Sequence, residues 1–394
     1  MRYFDYAATT PLLDEVFQAM EPYLKGVFGN PSSVYDAGRQ AKKGMEEARE
    51  LVAEAIGAQP SEIIFTAGGT EADNLALKGG AASGKLAGKS TGNHVIVSAI
   101  EHHAVLHSAE WLERNGFRVT VLPVDSEGLV DVAALESALS PETVLVSVML
   151  ANNEVGTIQP LEEIVKIVRN NSRARIHTDA VQALGKIPLD VEQLGADMAS
   201  FAAHKVGGPK GTGALYLKRK TPVEAILHGG GQERDLRSGT PNVAGIVGFG
   251  VAAQIAAKEV EQESVRHSAT RDRLQNEIVS RIDRVTLNGA GAPRIASTVN
   301  MCIQGVEGES LLLMLDSKQI AASSGSACTS GSLDPSHVLM AMGVPPELAH
   351  GSLRLSVGRA TTEDDVEYLL DALPPIVEKL RSIAPAYIGK GTSR

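Results

Sequence analysis

Seven short β-rich runs, at 62–67, 94–100, 118–124, 143–150, 175–180, 198–203 and 214–219, recur along the first part of the chain. Between several of them lie stretches with helical spacing of apolar residues, for example 104–115 and 161–170. This alternation is the pattern of a mostly parallel sheet covered by helices on both faces. Residues 14–260 therefore read as one large α/β domain. A helical stretch from 247 to about 282 leads into a region with fewer strands, at 297–303 and 352–357, and the chain closes on a helix at 362–382. That region, 261–394 together with 1–13, reads as a smaller α+β domain. No Pro/Ser linker marks the boundary, so the long helix can bridge both parts.

With 394 residues, 43% of them hydrophobic, the chain is long enough for a sizeable core and needs no covalent staples. Two cysteines, Cys302 and Cys328, are too few for a disulfide framework, and Met1–Asp5 offers no apolar signal region; a reducing cytoplasm is the expected compartment. No apolar run approaches the ~20 residues of a membrane span. A formal net charge of −10 argues against broad nucleic-acid binding, which favours a basic surface. The charges Glu46, Glu47, Arg49 and Glu50 are expected to form a solvated helix face.

In open α/β sheets ligands bind beyond the carboxyl ends of the strands, and here those positions carry reactive side chains. The first run is followed by Gly68-Gly69-Thr70-Glu71-Ala72-Asp73, a turn opening a helix, with Thr70 as the expected N-cap and Asp73 completing a capping box. Such a turn can cradle a phosphate on its amides, or be an ordinary capped helix. The second run ends in Glu101-His102-His103, the fourth in Asn152-Asn153-Glu154, the fifth in Asp179 and the sixth in His204-Lys205. Asp179 ends an apolar-flanked strand and is costly to bury without a cationic partner, such as a protonated pyridine nitrogen. Lys205 could hold a cofactor aldehyde, His102 could stack on its ring and the Gly69-Thr70 turn could take its phosphate, which together are the needs of pyridoxal phosphate. A lysine beside a histidine is otherwise an ordinary solvated pair.

Other signals are weaker. His103 and His107 could share a helix face as metal ligands, but no third ligand is evident and the HExxH order is missing. Gly208–Gly213 precedes a strand and lacks the GK[ST] ending of a nucleotide loop. Gly229-Gly230-Gly231 followed by Arg237–Thr240 is either a flexible connection or an anion contact. Cys302 lies in an alternating apolar stretch and reads as a small core residue. Cys328 lies in the Gly/Ser-rich run 323–332, expected to be a loop that moves, with no adjacent basic residue to lower its thiol pKa.

Taken together these residues resemble the cysteine desulfurases of the IscS/NifS type, in the class V aminotransferase group of fold-type I pyridoxal phosphate enzymes. The likeness runs nearly end to end. It rests on Asp5-Tyr6-Ala7-Ala8-Thr9-Thr10-Pro11, Gly29-Asn30-Pro31-Ser32-Ser33, Thr66–Glu71, Asn152-Asn153-Glu154-Val155-Gly156, His204-Lys205, Arg237-Ser238-Gly239-Thr240 and Ser324–Thr329. The resemblance implies that Lys205 tethers the cofactor, Asp179 pairs with its ring nitrogen, Gln182 bonds the ring hydroxyl, His102 stacks on the ring and Asn153 helps orient it. It implies phosphate contacts from Gly69, Thr70 and His204 and, across a homodimer interface, from Thr240. It assigns Asn30, Asn153 and Arg354 to the substrate, Arg354 as the planar fork for a carboxylate. Catalysis falls to Lys205, Cys328 and His102: L-cysteine becomes L-alanine, and sulfur leaves as a Cys328 persulfide for an acceptor protein of iron–sulfur assembly or tRNA thiolation. No intrinsic metal is implied, although Cys328 could transiently ligate an iron–sulfur cluster. A selenocysteine lyase or an aminotransferase of the same fold is the nearest alternative, and a non-catalytic scaffold a more distant one. One departure stands out: the family often carries serine where this chain has Ala202, which removes a hydroxyl from the phosphate.

Overall fold

The computed structural model describes residues 1–86, 92–324 and 335–383. A two-residue strand, β1 (Arg2–Tyr3), is followed by seven strands of one sheet. These are β2 (Ile63–Thr66), β3 (His94–Ser98), β4 (Arg118–Leu122), β5 (Thr143–Ser147), β6 (Arg175–Asp179), β7 (Met198–Ala202) and β8 (Gly213–Leu217). Their spatial order is β2-β8-β7-β6-β5-β3-β4, and only β8 runs against its neighbours. Every residue of β3, β5 and β7 is buried. Helices cover both faces of a parallel sheet, so its strands read as unbroken apolar runs rather than as alternation. That is why the expected strands coincide with the observed ones to within a few residues.

A second sheet is antiparallel, built from β9 (Val285–Leu287), β10 (Thr298–Ile303) and, beyond β11 (Ile320–Ala321), β12 (Ser352–Ser356), in the order β12-β10-β9. The N-terminal strand β1 pairs in parallel with β11, so the first residues of the chain join this part of the molecule and Phe4 is fully buried in its core. The helix Val243–Arg281 serves both cores: Ile246, Phe249 and Ala253 pack with the large sheet, and Leu274 and Ile278 pack with the second. It contains an 18-residue stretch of mean hydropathy 1.4, long and apolar enough to span a membrane on composition, where no such run was expected. Here that apolar surface packs against the helices Asp14–Lys25 and Asp36–Ala55.

The helix Asp36–Ala55 corrects one expectation. Glu47 and Glu50 are exposed, but Arg49 is buried at 4%. Its guanidinium donates to both carboxylate oxygens of Glu233 (2.8 Å each), to the Ile63 carbonyl (2.9 Å), and lies 4.6 Å over the Phe65 ring. Arg49 follows the apolar stripe Ala41, Met45, Ala48 and Val52, and its counter-charge lies 184 residues away. Cys302 is fully buried, as expected, with its sulfur 3.3 Å from Asn288 Nδ2.

Candidate active site

Strand order reverses between β3 and β5, because the chain adds β4 on one side of β3 and β5 on the other. Such a switch point leaves a crevice beyond the carboxyl ends of the strands. A cavity of about 250 Å3 lies there. It is lined by Gly69 and Thr70 after β2, His102 after β3 and Asn153 after β5. Asp179 ends β6 and Gln182 follows it, Ala202 ends β7, and His204 and Lys205 come next. Arg354 of β12 and the N-terminal residues Ala7 and Ala8 complete the wall.

The phosphate-sized end is built on glycine. Gly68 is the N-cap of the helix that starts at Gly69, with φ +155°, a conformation that residues with a Cβ rarely adopt. A Cβ on Gly69 would stand 2.7 Å from Val181 Cγ2, so only glycine lets the helix start this close to the cavity. The capping box is not formed: Thr70 lies inside the helix, no side chain caps it, and Asp73 turns inward to 1% exposure. The spacing of a capping box and that of one inward helical turn coincide, which is why the sequence pattern misled.

At the opposite end Asp179 is 5% exposed and accepts the Val181 N–H at 2.9 Å. Burial raises its carboxyl to about 6, although the Val181 N–H and the charge of Lys205 pull the other way. One oxygen of Asp179, one of Asp73 and an imidazole nitrogen of His102 lie within 4.8 Å of one another. His102 N-caps the helix His103–Arg114, its Nδ1 accepting the Ala104 N–H at 3.1 Å. Burial first, and Lys205 second, lower the imidazole to about 4, so it is neutral at physiological pH.

Lys205 ends the short turn Ala203–Lys205, and its Nζ donates to the carbonyls of Ala7 (2.7 Å) and Ala8 (2.8 Å). The same N-terminal segment fixes its neighbours: Thr9 Oγ1 lies 3.1 Å from His204 Nδ1, Thr10 Oγ1 donates to the His204 carbonyl (2.9 Å), and Gln182 Nε2 donates to the Ala7 carbonyl (2.8 Å). Gln182 Oε1 in turn accepts from Lys186 Nζ, whose ammonium burial has lowered to about 7. Arg354 is 3% exposed; Nη2 donates to Asp5 Oδ1 (2.8 Å), Nη1 to the Asn153 carbonyl (2.9 Å), and Nε has no hydrogen-bond partner among the described residues. This scaffolding by Asp5–Thr10 escaped the sequence reading, in which those residues counted only as a motif.

Two assigned residues, Asn30 and Thr240, are not brought to the cavity. Asn30 is exposed in a turn, its Oδ1 accepting the Ser32 N–H at 3.0 Å. Thr240 is exposed beside Arg237, whose guanidinium pairs with Glu71 at 2.7 Å. Cys328 lies outside the described residues. The segments flanking it are anchored at the site, since Ser323 exchanges backbone hydrogen bonds with Arg354 (2.6 and 3.2 Å), and Ser336 donates to the buried Glu154 carboxylate. His337 adds a third ring 4.5 Å from His103, which stacks on His107 at 5.0 Å, but the Glu101 carbonyl orients it through Nε2 at 2.9 Å.

Sheet order, switch-point cavity and a lysine at its wall define the class as the fold-type I pyridoxal phosphate enzymes. Comparison with known proteins narrows this. Residues 2–369 match the family model described as aminotransferase class-V. A protein of Dictyoglomus turgidum named cysteine desulfurase IscS is 51% identical over 383 residues, covering 97% of this chain and 96% of its own. A solved NifS-like protein superposes with a TM-score of 0.89 at 38% identity, covering 96% of this chain and all of the other. A structure described as SspA in complex with cysteine gives 0.78 at 36% identity, over 91% and 99%. The chain belongs to the class V aminotransferase family, in its cysteine desulfurase branch of the IscS/NifS type.

The residues present fit the cofactor of that class. A carboxylate is buried at the wall, an oxygen of Asp73 is buried without a hydrogen-bond partner among the described residues, and a glycine-built helix start faces the same cavity as a lysine amine.

Proposed function

We propose that this enzyme converts L-cysteine to L-alanine with pyridoxal phosphate bound in the cavity, and passes the sulfur through a Cys328 persulfide to an acceptor protein. The observation that carries this reading is the convergence of an amine, a buried carboxylate, a neutral imidazole and an arginine in one cavity of about 250 Å3. The likeness to a protein solved with cysteine supports the substrate.

When bound, pyridoxal phosphate supplies a sink for the electrons released at the substrate Cα. Lys205, Asp179, Gln182, Asn153 and the stacked His102 would hold the aldehyde, ring nitrogen, ring hydroxyl and ring faces, and Gly69, Thr70 and His204 the phosphate. Arg354 binds the substrate carboxylate as a planar fork, assisted by Asn153. The Lys205 amine takes the proton from Cα, and the Ala7 and Ala8 carbonyls, 2.7 and 2.8 Å from Nζ, stabilise the ammonium so formed. Neutral His102 holds a proton near the substrate sulfur. The Cys328 thiolate attacks that sulfur: an S–S bond forms, the C–S bond breaks with its electron pair left on carbon, carbon takes a proton, and alanine departs. Cysteine plus thiol thus gives alanine plus persulfide with no external oxidant.

On this reading residues 14–260 bind the cofactor, while 1–13 and 261–394 carry Arg354 and the cysteine segment 323–332. Thr240, exposed and outside the cavity of its own chain, reaches the phosphate of a homodimeric partner. The acceptor is a protein of iron–sulfur assembly or tRNA thiolation in the cytoplasm. Incubation with isotopically labelled cysteine followed by mass spectrometry of Cys328 and of co-purifying proteins tests donor and destination together. Cys328→Ser should keep the cofactor's visible absorbance and lose the persulfide; normal sulfur transfer by that variant contradicts the assignment.

A further inference from the structure

Asp73 lines the cavity, yet the proposed chemistry gives it no task. It sits on the sheet-facing side of the helix that starts at Gly69, 1% exposed, above three adjacent strands. In the ladder Ser147 of β5 pairs with His177 of β6, and Asp179 of β6 with Ser200 of β7, so these side chains share one face of the sheet. Ser147 Oγ lies 2.8 Å from His177 Nδ1, and Ser200 Oγ lies 2.9 Å from His177 Nε2. Burial holds His177 neutral, near 3, so its ring both accepts and donates. Its ring therefore donates to one of these two hydroxyls and accepts from the other. Asp73 Oδ1 is buried without a hydrogen-bond partner among the described residues, 3.6 Å from His177 Nε2.

Asp73 and Asp179 approach within 4.8 Å through one oxygen each, and two buried negative charges that close repel strongly. The groups around them decide which keeps a proton. Asp179 has the Val181 N–H and the charge of Lys205; Asp73 faces Asp179 and Glu101, with neutral His177 behind it. Burial, then Asp179, raise the Asp73 carboxyl well above the ordinary range.

We propose that Asp73 is a positioning residue: a carboxylic acid that turns its hydrogen toward Asp179, so that the single negative charge at this end of the cavity rests on Asp179 and faces a bound ring nitrogen. The inference rests on the reading that pyridoxal phosphate binds with its ring nitrogen opposite Asp179. It makes Asp73 the second carboxyl of a pair sharing one proton, supported from below by three strands.

The first measurement uses cofactor-free protein. Its infrared spectrum at neutral pH should contain a protonated-carboxyl band that Asp73→Asn removes; loss of a carboxylate band instead overturns the proposal, whether or not the cofactor binds. Titration with pyridoxal phosphate then compares variants. Asp73→Asn keeps a neutral donor and should bind within about threefold of the unaltered protein, with the same pH for titration of the visible band. Asp73→Leu keeps the shape without the donor, and should bind about tenfold more weakly and raise that pH by about one unit. A Leu variant that matches the Asn variant leaves only space-filling, and an Asn variant that binds tenfold more weakly means an ionised Asp73; either sinks the idea. If Asp73→Leu does not fold, the Asn and infrared results still decide. If the unaltered protein fails to bind pyridoxal phosphate, the functional reading falls and the infrared result alone decides Asp73.

Discussion

The two charged ends of the cavity are built on opposite principles. At the deep end Asp179 is a buried carboxylate that accepts a backbone N–H and lies in the field of a lysine, and burial raises its proton affinity in spite of both. At the shallow end Arg354 is equally buried but already paired, with Asp5 at 2.8 Å and the Asn153 carbonyl at 2.9 Å. An unsatisfied charge is a site waiting for a permanent guest, which recovers the cost of burial when it arrives. A satisfied charge exchanges one carboxylate for another, which suits a substrate that must also leave. Neutralising a carboxylate at the two ends should therefore change stability with opposite signs.

The coarsest break comes at the lysine between them. Lys205→Ala should abolish the visible absorbance of the cofactor and reduce alanine formation to the uncatalysed background, read by spectrophotometry and amino-acid analysis; alanine production at the normal rate by this variant overturns the assignment. Next comes the paired end. Asp5→Asn leaves a guanidinium of 3% exposure without its counter-charge, and should destabilise the cofactor-free protein by about 3 kcal/mol, the lower end for breaking a buried pair, because Asp5 keeps 19% exposure. A denaturant midpoint unchanged by Asp5→Asn would mean that Arg354 is solvated after all.

Asp179→Asn should do the reverse. The folded pKa of about 6 lies above the ordinary 3.8, so the carboxyl's contribution is intact below about 4 and is lost as pH rises through 6. Above that pH the parent protein carries a penalty of about 3 kcal/mol that the amide does not. The cofactor-free variant should thus unfold at higher denaturant than the parent at pH 8, with the gap closing toward pH 4, while its affinity for pyridoxal phosphate falls. A gap of the same size at both pH values would show that the carboxylate is not strained by burial.

The contrast also explains what the sequence disclosed. The deep end is made of residues that directly follow buried parallel strands, and those strands are continuous apolar runs; His102, Asn153, Asp179 and Lys205 could be read off by position alone. The shallow end depends on contacts between residues 349 apart, Asp5 and Arg354, and on a segment that threads under Lys205 from the other end of the chain. Nothing local announces such contacts. Asp73 and Arg49 were legible as helix residues but not in direction, since a capping-box spacing and a charged run each have an inward-facing twin. For Arg49 the apolar stripe next to it was a usable signal.

The smallest effect concerns the phosphate end, where the family hydroxyl is missing. Ala202 is 3% exposed, ends β7 and lines the cavity, and its Cβ lies 3.6 Å from where a Cβ on Gly69 would stand. A serine hydroxyl there would point into the space beside the Gly69-Thr70 turn without displacing backbone. A hydrogen bond to a charged phosphate contributes about 1.5–3 kcal/mol, less what the helix-start amides, Thr70 and His204 already supply. Ala202→Ser should therefore tighten pyridoxal phosphate binding to the cofactor-free protein by about tenfold, with the turnover of the loaded enzyme unchanged. Unaltered affinity would mean that the phosphate is already saturated by its other donors, and the deep end of the cavity, rather than the phosphate end, would then set how firmly the cofactor is held.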